Sequence, residues 1–129
     1  MNYVLDTHIL IWYFIGSKRL KLKALEVIDR CRFSGGKLLV PTIVLSECLD
    51  IAEKQKVQFD FNKMYRLIKD DLAFEIIPFT LEIFDETVRI KSIKEIHDRI
   101  ISATARFYDT EIITKDRIIK RSGEVELFE

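Results

Sequence analysis

Glycine and proline are scarce in this chain, four and two among 129 residues. With so few breakers there is no linker-like stretch, and neither an internal repeat nor a low-complexity tract interrupts the pattern. One ordinary domain over residues 1–129, with room for a single sizeable core, is the expectation. Cysteine is equally rare: Cys31 and Cys48 stand in no metal-ligand spacing and read as reduced thiols, not as a disulfide framework. No charge of either sign is in excess, with 21 Lys plus Arg against 21 Asp plus Glu. Net charge therefore gives no sign of a nucleic-acid partner, though an acidic site and a basic rim cancel in such a sum. Long hydrophobic runs are missing too. "ILIWYFI" is too short to span a bilayer, and the N-terminus enters a strand-like run without a signal-peptide pattern. A cytoplasmic protein with no membrane association is expected.

What is present is the composition of a folded domain, 48% hydrophobic and 33% charged. "NYVL" predicts a short buried strand, followed by helices over about residues 7–14 and 18–33 that are separated at Gly16-Ser17. "SGGKLLVP" predicts a turn and a strand ended by Pro41, after which Thr42 is expected to cap a helix running to about Lys56. A helix over "DFNKMYRLIKDD", a strand "FEIIP" and a helix "LEIFDETVRIKSI" capped by Thr80 follow. Residues 96–108 predict a helix with Ile100, Ile101, Thr104, Phe107 and Tyr108 on one stripe. "TEIIT", "DRIIKRS" and "EVELF" predict a strand, a short helix and a last strand. Strands alternating with helices point to an α/β fold, a parallel sheet covered on both faces, with functional side chains gathered at the carboxyl ends of the strands.

Four acids fall where that rule directs attention. The run "YVLDTHILIW" places Asp6 among residues that all ask to be buried, and a buried unpaired charge costs several kcal/mol or more. Asp6 and Asp116 each follow a predicted strand. Glu47 shares a helix face with Ile43, Val44 and Ile51, and Asp98 sits in the first turn of its helix. Each has a plain alternative: Asp6, Asp98 and Asp116 as helix caps, Glu47 as one arm of a boundary salt bridge. Together they suggest a carboxylate cluster. Clustered carboxylates raise each other's pKa unless a cation holds them, and an oxygen-rich site suits Mg²⁺ or Mn²⁺ better than Zn²⁺. Such an ion supports metal-assisted phosphodiester hydrolysis.

"YVLDTHILIW", "PTIVLSECLDIA", "IHDRIISATARFYD" and "IITKD" together resemble the PIN-domain ribonucleases, most closely their VapC-type toxin branch, over essentially the whole chain. The resemblance implies a three-layer α/β/α sandwich with a central, mostly parallel sheet of about five strands. It implies that Asp6, Glu47, Asp98 and Asp116 are the catalytic acids that hold the metal and position the attacking water, with Thr7 and Thr114 orienting carboxylates or water by hydrogen bonds. The short segment after Asp116 places that acid last among the four. The implied reaction is metal-dependent endonucleolytic cleavage of RNA, leaving 5′-phosphate and 3′-hydroxyl ends. The implied partners are a second copy of the chain in a homodimer and a cognate antitoxin protein lying in a groove near the site.

Other readings are weaker. His8 and His97 adjoin the acids, but two histidines do not make the nitrogen-rich shell of a catalytic zinc, and local hydrogen bonding accounts for them. Ser46 and Cys48 flank Glu47 on a helix, where adjacent residues do not face one another. Trp12, Tyr13 and Phe14 read as core or dimer contacts. Lys115, Arg117, Lys120 and Arg121 surround Asp116, and a polyanion approaching four acids needs such local positive charge, so they are candidate contacts to RNA phosphates. A phosphatase of the haloacid-dehalogenase type would want an Asp at the position of His8. A catalytically inactive PIN-like module acting by RNA or protein binding is the alternative from a different class. No helix-turn-helix suggests a DNA-binding regulator.

Overall fold

The computed structural model describes residues 1–124 and 127–128, with the side chains of Arg117, Ile118 and Arg121 outside that description. Strand β1 (Asn2–Leu5) buries Tyr3, Val4 and Leu5 and has a neighbour on each edge. It pairs in parallel with β2 (Lys37–Pro41) on one side and with β4 (Glu111–Ile113) on the other, Val4 standing opposite Leu39 and Ile112. Strand β3 (Phe74–Ile77) adds in parallel to β2, giving the order β3-β2-β1-β4. Strands buried on both faces read as continuous apolar runs, which is why "YVL" and "LLV" show no alternation.

Helices make the connections: α1 (Thr7–Ile15), α2 (Leu22–Phe33), α3 (Thr42–Glu53), α4 (Phe61–Asp70), α5 (Leu81–Arg89), α6 (Ile96–Phe107) and α7 (Arg117–Ser122). The architecture is the expected three-layer α/β/α sandwich, with α6 packed on β1 and β4, and α2 and α3 on β2. One core cluster runs through it, with Leu5, Ile11, Leu38, Met64, Ile83, Ile101 and Ile112 all but inaccessible. No helix among the described residues is long and apolar enough to cross a membrane.

Several boundaries differ from the sequence reading, each for a local reason. α2 begins at Leu22, not near Lys18, because Ser17 organises a turn: its Oγ accepts from the Arg19 N–H and its carbonyl from the Leu20 N–H. Thr42 is not a cap. It is the first helical residue of α3, and Pro41 occupies the cap position without a side-chain bond. That helix stops at Glu53, before Gln55 turns to φ 54°, and α5 stops at Arg89. The predicted cap Thr80 does accept from the Ile83 N–H, and Asp60 caps α4 by accepting from the Lys63 N–H. On α6 the stripe of Ile100, Ile101 and Thr104 is buried, whereas Phe107 and Tyr108, at the helix end, are 45% and 40% exposed and meet edge-on. Four strands are described where about five are expected. Ile112 forms an isolated parallel bridge to Leu127 of "EVELF", whose Val125 and Glu126 lie outside the described residues.

Gly36 sits where β2 enters beside the chain start. A Cβ there would lie 2.4 Å from the Met1 carbonyl oxygen and 2.6 Å from Cys31 Sγ. Gly36→Ala should therefore cost about 1–3 kcal/mol, the usual range for overpacking, read as a lowered denaturation midpoint. An unchanged midpoint would contradict this close approach.

Candidate active site

The crossovers from β1 to β2 and on to β3 move away from β1 on one edge, while β4 lies against the other. The sheet therefore reverses its order between β1 and β4, and such a switch point opens a crevice at the strands' carboxyl ends. Asp6 follows β1 there, and Thr114, Lys115 and Asp116 follow β4. The backbone ties the two strand ends together, the Asp6 N–H donating to the Ile113 carbonyl at 3.1 Å. Glu47 enters from α3 and Asp98 from the first turn of α6.

Asp6 is 8% exposed, and both of its carboxylate oxygens are engaged. Oδ1 accepts from the Thr7 N–H at 2.7 Å, and Oδ2 accepts from the Thr114 hydroxyl. Thr114 Oγ1 in turn accepts from the Asp116 N–H at 2.9 Å, so one hydroxyl links the first and last acids. The Thr7 hydroxyl donates to Glu47 Oε1 at 2.7 Å, tying α1 to α3. Asp116 Oδ1 caps α7 by accepting from the Ile119 N–H at 2.9 Å. Asp98 is different. Its carboxylate accepts no hydrogen bond among the described residues, and the cap of α6 is Glu95, whose Oε2 accepts from the Asp98 N–H at 2.8 Å.

Electrostatics bring the five acids into one field. Burial pushes the Asp98 carboxyl up, and the charges of Asp116, Asp6, Glu95 and Glu47 push it further, to about 7. Burial also raises Glu47, against the pull of the Thr7 bond and of His97, with Asp6 and Glu95 adding to the rise. Asp6 is raised by burial despite its bonds from Thr114 and Thr7. His97 Nδ1 lies 3.1 Å from Glu95 Oε1 and 3.7 Å from Glu47 Oε2. Burial and then the Lys115 charge lower His8, which favours its neutral form. Cys48, beside Glu47 in sequence, is fully buried with its thiol pushed up to about 12, so it is no nucleophile.

The PIN domain pattern matches residues 3–125, nearly all of the chain and every acid just described. The chain belongs to the PIN domain family. Among curated proteins, no sequence matches it. Solved structures share its fold at low identity. The VapBC2 complex of Rickettsia felis, bound to a fragment of promoter DNA, superposes with a TM-score of 0.75 at 17% identity over 99% of this chain and 98% of that one. VapC20 of Mycobacterium tuberculosis, a toxin that cleaves the sarcin-ricin loop, gives 0.71 at 15% identity over 98% and 99%. A toxin-antitoxin complex of Klebsiella pneumoniae gives 0.65 at 22% over 95% and 94%.

In this PIN domain the four acids singled out in the sequence come near enough for Asp6, Glu47 and Asp116 to act on Asp98, and Thr7 and Thr114 bond directly to Glu47 and Asp6. Asp6 and Asp116 also act as helix caps, as the plain reading has it. For Asp98 the cap reading fails, because Glu95 takes that place. Sequence reasoning missed Glu95, since glutamate is a poor N-cap and carries no spacing signal. Trp12, Tyr13 and Phe14 pack on the core as expected, Tyr13 donating to Asp29 at 2.6 Å. Trp12 in addition lines two grooves beside the acids. Lys115 Nζ lies 5.5 Å from the Trp12 ring centre, and Lys120 is exposed on α7; the side chains of Arg117 and Arg121 lie outside those described.

The donor set is all oxygen, which suits a hard cation. Among the described residues no three His, Cys, Asp or Glu side chains already stand as ligands of one ion. Internal donors hold Asp6, Glu47 and Asp116 as they stand, yet each carboxylate oxygen has a second lone pair, and Asp98 has all of its own. The residues present therefore fit such an ion after side-chain adjustment. Thr114 tests the frame itself. Thr114→Val leaves the Asp6 carboxylate and the Asp116 N–H each short of a partner and should cost about 1–3 kcal/mol, whereas Thr114→Ser should restore most of it. Equal stabilities of the two variants would show that the hydroxyl bridge contributes nothing.

Proposed function

We propose that this PIN domain is a metal-dependent endoribonuclease, the VapC-type toxin of a toxin-antitoxin pair. Asp6, Glu47, Asp98 and Asp116 would hold Mg²⁺ or Mn²⁺. The observation that carries the reading is the Asp98 carboxylate, which has no internal donor and faces four other carboxylates. Each influence acting on Asp98 raises its pKa, and a divalent cation would offset the repulsion. When bound, the ion supplies Lewis acidity and an activated water for attack on phosphorus.

The chain's own residues do the positioning. Thr114 and the Thr7 N–H fix the orientation of Asp6, and the Thr7 hydroxyl fixes Glu47. Neutral His8 and the Lys115 ammonium flank the crevice where a phosphate would enter. Lys115 and Lys120, with Arg117 and Arg121 of the same segment, are the proposed contacts to RNA phosphates. Family membership supports the nuclease class, and the structural neighbours, among them toxin-antitoxin complexes, support an antitoxin partner.

The test is cleavage of a pool of structured and single-stranded RNA by purified protein, with Mn²⁺, with Mg²⁺ and with chelator, beside Asp6→Asn prepared identically. Metal-dependent cuts lost in Asp6→Asn are expected. Cuts that persist in the variant would overturn the site, and their absence in all conditions would favour a binding module.

A further inference from the structure

Two grooves meet at the candidate site, and they differ in charge. The first, about 420 Å³, lies between α1, the turn over residues 17–21, the start of α2 and the β4–α7 connection. Arg19, Lys21, Lys23, Lys115 and Lys120 line it, and no carboxylate does among the described residues. The second, about 690 Å³, lies on the α3 side and is mixed: Glu47, Asp50, His8 and His97 share it with Lys56. Trp12, Arg19 and Lys115 line both and so form the rib between them. In a chain of zero net charge, five cations with no acid beside them among the described lining residues is a concentration of one sign.

Resting on the nuclease reading above, we infer that the first groove is the track for the single-stranded RNA that flanks the cleaved bond, its phosphates on Lys21 and Lys120 and a base against Trp12. Three features of the groove point to a nucleic-acid strand. It adjoins the first acid, because Thr114, the partner of Asp6, lines its wall. Its cations come from two separated segments and so offer several contacts along a path instead of one anion pocket. Its apolar wall includes the partly buried Trp12 indole, and aromatic faces between cations are the usual platform for unpaired bases. An acidic peptide would use the cations but not the adjoining acid. The strand leaves the outer end of the mixed groove free, since Asp50 would repel phosphates there.

Lys21 lines only the first groove and Lys56 only the second, and both are exposed, so charge reversal at either changes the net charge equally without disturbing the core. The probe is a fluorescein-labelled single-stranded 20-nucleotide RNA of mixed sequence, bound in chelator to Asp98→Asn so that nothing is cut. Adding Lys21→Glu should weaken binding about tenfold at low salt and flatten the slope of log affinity on log salt by ~0.7, one phosphate contact. Adding Lys56→Glu should change both far less. Equal effects, or a larger one from Lys56→Glu, would overturn the track. So would a loss of affinity for polyglutamate but not for RNA. Wild type that cuts RNA while Lys21→Glu binds normally would sink the track alone. Wild type that neither binds nor cuts the RNA would sink the nuclease reading with it.

Discussion

Asp98→Asn should abolish metal-dependent RNA cleavage, lowering kcat/KM by about three orders of magnitude, a loss of about 4 kcal/mol in transition-state stabilisation. The substitution is nearly isosteric and removes no hydrogen bond, since the carboxylate accepts none among the described residues. It leaves the Glu95 cap of α6 in place, because that bond goes to the Asp98 backbone. A folded but inactive protein is therefore the expected outcome, with unchanged circular dichroism as the check. Glu95→Gln serves as the comparison. It keeps a capping oxygen and removes one of the charges that raise Asp98, so it should retain most activity. If Glu95→Gln were as inactive as Asp98→Asn, the division between a metal-holding acid and a capping acid would be wrong.

Metal-free protein should lose stability as pH rises from about 4 to about 7. Asp98 ionises at about 7 when folded and near 3.8 when unfolded. Between those values the folded state holds a proton that the unfolded state has released. The contribution is thus fully present below the unfolded pKa and is lost as pH rises through the folded one. A shift of this size corresponds to about 4 kcal/mol at most, and partial exposure of Asp98 reduces that to about 1–2 kcal/mol. Glu47 and Asp6 are raised as well and add in the same direction. The acids titrate as a coupled set, so the transition should be broad. Asp98→Asn should raise the urea midpoint at pH 8 and leave it nearly unchanged at pH 4. A variant less stable than wild type at pH 8 would mean that the carboxylate is stabilising and the repulsion is offset within the chain.

Much of this arrangement could be read in the sequence, and the parts that could not turn on local competition or on contacts between distant segments. Asp6 and Asp116 were legible because each follows an apolar strand, and parallel sheets gather functional residues at the strands' carboxyl ends. Glu47 was legible because helical periodicity put it on the face of Val44 and Ile51. The start of α2 was not, because the Ser17 turn competes locally with helix. Thr42 misled because a threonine after a proline has the composition of a cap without its geometry. The basic groove had no signal in one dimension. Arg19 and Lys21 come from the α1–α2 turn and Lys115 and Lys120 from beyond β4, and only the pairing of β1 with β4 brings them together. Glu95 stayed hidden for the same reason: its place in the acid cluster depends on where α6 begins relative to α3.

The most direct test of the central claim, that these carboxylates form one shared cation site, is the melting temperature with and without Mn²⁺ for wild type, Asp6→Asn, Glu47→Gln and Asp98→Asn. At Mn²⁺ a hundredfold above its dissociation constant, wild type should gain about 2.7 kcal/mol, or ~8 °C for a domain of this size. Each variant should gain much less, with Asp98→Asn starting from a higher metal-free value at pH 8. Equal gains in all four proteins would contradict the shared site.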